Sequence, residues 1–501
     1  MDVFSPYLSR DRLHALADGR DLPSASTGAA LFADISGFTP LTEFLAQAFG
    51  RRRGAEELSQ YLNRVYGGLI EVVHGRGGSV VAFAGDAITC WFDQDDGRQA
   101  VACGLAMQRA MQEWSAIRLP DGGCVALALK IGVASGPARR FAVGDAAIQW
   151  LDVLAGDTLD RMAGAEHLAG QGEILVDGAT ALALGDLLAV REWRESAGVR
   201  AAVAAGLSAP PDPRPWPDLG AGSPAADQLQ TWLLKPIVER LNHGHTSLLT
   251  ELRLAVACFI RFAGIDYNDP AAGEQLDRSI TWIQQTLQRY GGSLLDVNIG
   301  DKGSYLYAAF GAPIAHENDV QLALLAAAAL RHPPAGLGCD LTLAIGMSQG
   351  IMRVGAYGGA QRCTYGVLGD EVNSAARLMQ HAAPGEIIVS GQLQRAAATL
   401  GEWQPLPPLQ LKGKRQPTPI FRLGGVRSDP GLNLERQAAA LVGRQDEQDR
   451  LRAALDAACQ GRGQIIGITG EAGIGKSRLV AEAVGWAGER GMACYGGGCH
   501  A

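Results

Sequence analysis

The sequence predicts an α+β protein built from two tandem copies of one domain, followed by a third segment of strand–loop–helix character. Three observations carry this expectation. The first is an internal repeat: LNRVYGGLIEVVHGRGGSV (62–80) aligns with LDRSITWIQQTLQRYGGSL (276–294) at an offset of 214 residues. It continues where LALKIGVASG (127–136) matches LTLAIGMSQG (341–350) and GEILVDG (172–178) matches GEIIVSG (385–391). A period this long marks a duplicated domain, because solenoid repeats recur every roughly 20–50 residues. The second is the alternation of short β-rich runs (29–33, 79–84 and 127–133) with helical periodicity, as in 55–74. The third is a change of pattern after residue 425, where LVGRQDEQDRLRAAL (441–455) reads as a helix and QIIGIT (464–469) as an apolar strand.

A chain of 501 residues is too long for one hydrophobic core, and ordinary domain sizes suggest about three. The expected division is a first repeat domain at 28–205, a linker at 206–248, a second repeat domain at 249–425 and the third segment at 436–501. The linker contains APPDPRPWPDLGAGSP (209–224), whose prolines remove backbone donors and whose glycines loosen the chain. With 47% hydrophobic and 19% charged residues and a mean hydropathy of +0.03, the chain has the composition of a folded globular protein. No apolar run approaches the roughly 18 residues of a membrane span, and MDVFSPYLSRDR at the start lacks a signal-peptide core, so a cytoplasmic location is expected. Nine scattered cysteines form no metal-ligand spacing and read as reduced thiols. A net charge of -8 excludes the broad basic footprint of nucleic-acid binding, and Arg51-Arg52-Arg53 reads as a solvated loop.

LFADISGFTPLTEF (31–44) opens as a buried strand, turns through Ser36-Gly37 and restarts as a helix, with Thr39 read as the N-cap and Pro40 at the first helical position. Free N–H groups at such a helix start attract anions, and Asp34 at the strand end can hold a divalent cation against the same phosphates. GGSVVAFAGDAITCWF (77–92) shows two β-like runs joined by Gly85-Asp86, a hairpin signal that carries Asp86 to the tip. Two carboxylates on neighbouring strands could hold two Mg²⁺ ions, one activating a hydroxyl and the other neutralising a triphosphate. Either aspartate alone reads equally as an ordinary turn residue. The pair is what points to metal.

FADISGFT followed by FAGDA resembles the metal-binding signature of class III nucleotidyl cyclases. The resemblance implies ferredoxin-like (βαββαβ) domains paired head to tail about a pseudo-twofold axis. It further implies that Asp34 and Asp86 bind two Mg²⁺ ions, for which Mn²⁺ may be exchanged, and that Ile35 lends a backbone carbonyl. The turn through Ser36, Gly37, Phe38 and Thr39 would wrap the triphosphate of ATP.

TYGVLGDEVNSAARLM (364–379) resembles the other half of the same signature, with Asn373 and Arg377 four residues apart on one helix face. In the family this Asn positions the ribose, and this Arg stabilises charge building on the α-phosphate, a role suited to a fixed guanidinium fork. The resemblance also places Val367 and Lys130 among the substrate-binding residues, Lys130 at the triphosphate, and LKGKRQPTPIFRL (411–423) resembles the closing strand segment. What each copy lacks is as informative. Asp160 and Gly164 of GDTLDRMAG stand where the second copy has Asn373 and Arg377, and LRLAVACFIRF has no carboxylate between Leu252 and Phe262. Each copy is half a site. Pairing within one chain joins the halves, an arrangement similar to the soluble adenylyl cyclases.

The resemblance therefore implies an adenylate cyclase that converts ATP to cyclic AMP and diphosphate. Two alternatives stay open: a guanylate cyclase, and a nucleotide-sensing module that has lost catalysis and serves an ATPase. The base-reading strand LLDVNIGDKG (294–303) has Asp296 near the place of an adenine-reading lysine, and Gly366 occupies another base-facing position. A carboxylate can accept protons from the edge of guanine, whereas lysine suits the acceptor nitrogen of adenine. Ala82 stands where such relatives carry a basic residue tied to bicarbonate sensing, which argues against bicarbonate activation. The sequence leaves the activator and the downstream partner open.

GEAGIGKS (470–477), between QIIGIT and the helix-like RLVAEAVGWA, has the context of a phosphate-binding P-loop. Gly470, Gly473 and Gly475 would form the turn, Lys476 would meet β/γ oxygens and the Ser477 hydroxyl Mg²⁺. LVGRQDEQDRL before it resembles the entry to signal-transduction ATPase modules. With 24 residues after Ser477, the segment is expected to be an incomplete domain of a longer protein that does not hydrolyse ATP alone.

Overall fold

The computed structural model describes residues 3–114, 117–118, 124–219, 222–244, 251–300, 303–410, 417–426, 443–470, 474–492 and 494. After helix α1 (Arg10–Ala17), the first repeat forms β1 (Ala25–Ser36), α2 (Phe38–His74), β2 (Ser79–Ala84), β3 (Ala87–Asp93) and α3 (Arg98–Ala110). It continues with β4 (Ile117–Arg118), β5 (Cys124–Val125), β6 (Ala128–Val143), β7 (Leu151–Ala155), α4 (Asp157–His167), β8 (Ile174–Asp177), α5 (Gly178–Leu184), β9 (Leu188–Ser196) and β10 (Val199–Leu207). Helices α6 (Ala226–Gln230) and α7 (Lys235–Asn242) lead into the second repeat: β11 (Glu251–Ala263), α8 (Ala272–Arg289), β12 (Ser293–Gly300), β13 (Gly303–Phe310), α9 (Asp319–Leu330) and β14 (Thr342–Gly358). Then come β15 (Cys363–Leu368), α10 (Asp370–His381), β16 (Ile387–Ser390), α11 (Gly391–Ala396), β17 (Gly401–Leu409) and β18 (Thr418–Val426). Helices α12 (Gln445–Cys459) and α13 (Lys476–Glu489) belong to the third segment.

The two sheets have one topology, β2-β3-β1-β6-β8-β10-β9 in the first repeat and β12-β13-β11-β14-β16-β18-β17 in the second, with β7 and β15 added to β6 and β14. The order β6-β1-β3-β2 is the ferredoxin-like arrangement of a βαββαβ unit. Strand alternation assigns the faces. Ala29, Leu31, Ala33 and Ile35 of β1 turn into the core under α2 and α3, so Asp34 falls on the other face with Ala30 and Phe32. In β11, Val256, Cys258, Ile260 and Phe262 enter the second core, and Ala255, Ala257 and Phe259 face the N-terminal segment and the linker helices.

The domains pair head to tail. The Gly358 N–H donates to Asn63 Oδ1 at 3.1 Å and the Gly144 N–H to Asp277 Oδ1 at 2.9 Å. Both partners of one bond are related to those of the other by the 214-residue offset of the repeat, which is the mark of a pseudo-twofold axis. Tyr357 of β14 is buried within the core of the first domain.

The N-terminal segment joins the two domains. Arg140 of β6 binds Asp11 of α1 and reaches Asp152 of β7 at 2.7 Å, while Arg12 reaches Asp152 at 3.1 Å. Phe4, Leu8 and Leu13 pack with Leu229, Ile237 and Leu241 against the second sheet. The linker is less loose than its glycines suggest, because the Trp216 indole donates to the Gly78 carbonyl at 2.8 Å and stacks on His14 at 4.9 Å.

Three local expectations are corrected. The helix after β1 begins at Phe38 with Gly37, not Thr39, as its N-cap. Gly37 has φ 101, and a Cβ there would lie 2.4 Å from the Ala126 carbonyl, so only glycine makes this turn. Arg51-Arg52-Arg53 lie inside α2, just past a break at Gly50 where φ is 78 and ψ 164, and are not in a loop. QIIGIT (464–469) forms no strand among the described residues: it has no neighbour to complete a ladder, and Ile465 is fully exposed. No described helix is long and apolar enough to cross a membrane.

Candidate active site

The site is built from the ends of β1, β3 and β6. Antiparallel register sets Asp34 opposite Ala87 of β3 on one side and Lys130 of β6 on the other. The Ile35 N–H donates to the Asp86 carbonyl at 3.1 Å, which brings the tip of the β2–β3 hairpin beside the end of β1. Asp86 is exposed and Asp34 half-buried. Ser36 Oγ donates to the Ala128 carbonyl at 3.1 Å and holds the turn closed. The side chains of Phe38 and Thr39 lie outside the described residues, but their backbones form the first turn of α2, where N–H groups lack intrahelical partners.

Tyr66, on α2 and fully buried, donates its hydroxyl to the Gly85 carbonyl at 2.8 Å and so fixes the hairpin tip. Burial pushes its ionisation well above the ordinary phenol range, and Tyr357, Asp86 and Asp34 add to the shift.

The second half stands on β15 and α10. Val367 is buried and pairs with Val354, and its carbonyl accepts from the Tyr307 hydroxyl at 3.0 Å. After the turn at Gly369, α10 presents Asn373 exposed and Arg377 half-buried, one turn apart. A Cβ at Gly366 would lie 2.8 Å from the Tyr357 ring, so that ring fills the space a side chain would take.

Tyr357 is where the halves meet. Its ring packs against Phe83 at 5.7 Å and Tyr66 at 6.4 Å, both from the first domain. Burial, and then Asp296 ahead of the other charges, raises its ionisation, with Asp86 adding from across the domain boundary. The phenol thus lies between the β2–β3 hairpin of one domain and β12 of the other. Asp296 follows a bulge in β12 and sits opposite Tyr307; the matching bulge in β2 sets Ala82 opposite Thr89, so Ala82 and Asp296 are mates. Enclosure pushes the Asp296 carboxyl up to about 7, against the pull of the Val297 N–H and of Arg362.

The other pseudo-symmetric cleft differs. Arg261 stands opposite Ala344 where Asp34 stands opposite Lys130, and its guanidinium donates to the Ala382 carbonyl at 2.6 Å. Gly475, with φ 98, caps α13, and Lys476 Nζ meets the Gly470 carbonyl at 3.0 Å and Glu317 at 3.1 Å. Gly473 and the Ser477 side chain lie outside the described residues.

Tyr66, Tyr357 and Tyr307 were not singled out from sequence. A signal existed for the first two: the 214-residue offset sets Tyr66 against Ile280 and Tyr357 against Val143, a hydroxyl facing an aliphatic side chain each time.

Comparison with known proteins agrees with this architecture. Residues 298–423 match the family described as adenylate and guanylate cyclase catalytic domain, and residues 440–499 match the AAA ATPase domain. The chain is 24% identical over 499 residues to adenylate cyclase type 10 of Rattus norvegicus, covering 91% of this chain and 30% of that protein. It is 23% identical over 449 residues to the Homo sapiens protein of the same name, covering 79% of this chain and 26% of that one. The chain thus spans under a third of the length of these relatives. Among solved structures, a class III adenylyl cyclase-like ATP-binding protein from Pseudomonas aeruginosa superposes with TM-score 0.51 at 15% identity, covering 78% of this chain and 94% of that one, a likeness of fold across both repeats.

Proposed function

We propose, on the premise that this chain is a tandem pair of class III nucleotidyl cyclase domains followed by a P-loop-type segment, that it converts ATP to cyclic AMP and diphosphate at one site shared by the pair. The observation that carries the reading is the division of labour between the copies. Asp34 and Lys130 stand opposite each other in the first, where the second has Arg261 and Ala344. Asn373 and Arg377 lie on α10 of the second, where α4 of the first has Asp160 and Gly164.

Asp34, Asp86 and the Ile35 carbonyl offer oxygen ligands only, a donor set that suits Mg²⁺, which keeps water and phosphate oxygens in its other positions. When bound, two such ions neutralise the triphosphate and ease removal of the 3′-hydroxyl proton. The turn from Ser36 to Thr39 receives the phosphates on free N–H groups, with Lys130 beside it. Asn373 orients the ribose, and Arg377 holds the α-phosphate as the 3′-oxygen bonds to phosphorus and diphosphate departs.

A second reading, GTP as substrate, is supported by one observation: β12 carries the carboxyl of Asp296 near the place expected of an adenine-reading lysine. Purified protein incubated with ATP or GTP, each with Mg²⁺ and with Mn²⁺, should yield cyclic AMP by mass spectrometry, and Asp34→Ala should yield none. Cyclic GMP would select the second reading. Nucleotide binding without either product would make the pair a sensor.

A further inference from the structure

We infer that Arg362 is a positioning residue that sets the two half-sites against each other; the inference rests on the shared site proposed above. Arg362 lies in the turn between β14 and β15 and is 6% exposed. Its Nε donates to the Val80 carbonyl at 3.0 Å and its Nη2 to the Val81 carbonyl at 3.2 Å, both on β2 of the first domain. Its Nη1 reaches the Tyr7 carbonyl at 2.8 Å, the Pro6 carbonyl at 3.4 Å and the carbonyl of neighbouring Cys363. The guanidinium also lies over the Phe83 ring, 5.2 Å from its centre. One side chain thereby joins three segments: β2, the N-terminal turn and β15.

Two features make the contact specific. Successive carbonyls of a regular strand point in opposite directions, so a single fork cannot reach both. The register break in β2 between Val80 and Ala82 releases that alternation and turns both carbonyls to Arg362. The contact also exists on one side of the pseudo-twofold axis only, because the register of β6–β7 against β14–β15 makes Gln149 the mate of Arg362, and the Gln149 amide donates instead to the Trp232 carbonyl of the linker at 3.0 Å. The side that has the clamp is the side that has both half-sites. Four residues after Val81 and Ala82 the chain reaches Gly85 and Asp86, and shortly after Cys363 it reaches Asn373 and Arg377. Any shift of this turn against β2 changes the spacing between the carboxylates and the guanidinium across the cleft. Lysine cannot substitute, since a single ammonium lacks the planar fork that spans neighbouring carbonyls.

The test uses the full chain with Arg362→Met, which keeps most of the volume, and Arg362→Lys, which keeps the charge. Steady-state formation of cyclic nucleotide, Mg²⁺-dependent nucleotide binding and hydrogen exchange of the peptides spanning 79–93 and 363–381 are measured on each. Both variants are expected to lose kcat, by on the order of 100-fold for Arg362→Met, with KM within about threefold because most of the proposed triphosphate contacts come from the first domain. Exchange should quicken in both peptides together, and Arg362→Lys should recover only part of each loss. Wild-type kcat and wild-type exchange in Arg362→Met would overturn the inference, and so would a loss confined to KM. If Arg362→Met does not fold, Arg362→Lys decides on the same readouts. A wild-type chain that makes no cyclic nucleotide would remove the shared-site reading, while the exchange of the two peptides would still decide whether Arg362 couples them.

Discussion

In the shared site proposed above, Arg377 and Asp86 stand on opposite walls, and their removal is expected to leave different kinetic signatures. Arg377→Ala takes away transition-state charge stabilisation and should lower kcat by roughly 1,000-fold, with nucleotide affinity little changed. Asp86→Ala removes a proposed metal ligand and should instead raise the Mg²⁺ concentration needed for nucleotide binding; titrating Mg²⁺ against initial rate separates the two. Asp296 gives a stability prediction. Its folded-state carboxyl is held up at about 7, so as pH rises from about 4 to 7 the unfolded chain loses a proton that the folded chain retains, and stability falls across that window. Asp296→Asn should therefore stabilise the protein at pH 8, by on the order of 3 kcal/mol, and leave it unchanged below pH 4. Denaturant unfolding at the two pH values checks this. At this scale the sequence was most informative where the cyclase signature is written in contiguous strings, as around Asp34, Asp86, Asn373 and Arg377. It was silent on Tyr307 and Arg362, whose roles exist only once distant strands are brought together.

The element that most repays attention is the C-terminal end of α2, which leans on the β14–β15 turn of the second domain. His74 is buried there, and its Nδ1 lies 3.0 Å from Gln361 Oε1. Burial pulls its pKa down to about 4, against the opposing hydrogen bond to Gln361, so the folded state keeps the ring neutral. As pH falls through about 6.5 the unfolded chain takes up a proton that the folded chain refuses, and stability declines until about pH 4. His74→Gln should flatten that decline, which amounts to on the order of 2 kcal/mol between pH 7.5 and 5, when unfolding free energies are compared at the two values. Elements were legible from hydrophobic period where a partner lay close in sequence, as in β2–β3 and in the repeated helix of 62–74. The apolar run QIIGIT has the composition of a strand and is not one here, because a strand is a relation between segments. The start of α2 was misplaced by the same logic: the backbone freedom of Gly37 outweighed the capping preference of Thr39.

For the whole molecule, the duplication and the missing half in each copy were readable because two versions of one domain could be compared within a single chain. That they pair head to tail followed from the family resemblance; which residues join them did not, since the reciprocal bonds to Asn63 and Asp277 join residues almost 300 and just over 130 positions apart. Pairing within the chain makes a mixing prediction. Asp34→Ala and Arg377→Ala chains, each inactive, should stay inactive when combined in equal amounts; recovery of roughly a quarter of wild-type activity would mean that domains are exchanged between chains.

The path of the linker bears on how nucleotide enters and product leaves. Trp216 is held to Gly78 and stacked on His14, and Gln99 holds the Asp212 carbonyl at 2.7 Å, so the proline-rich stretch is laid along the first domain before α6 and α7 settle against the second. Domains tied along one edge by such a strap are expected to part by a small swing about that edge, as a book opens along its spine. Turnover then becomes a matter of hinge stiffness, and its rate should be the same at nanomolar and micromolar protein.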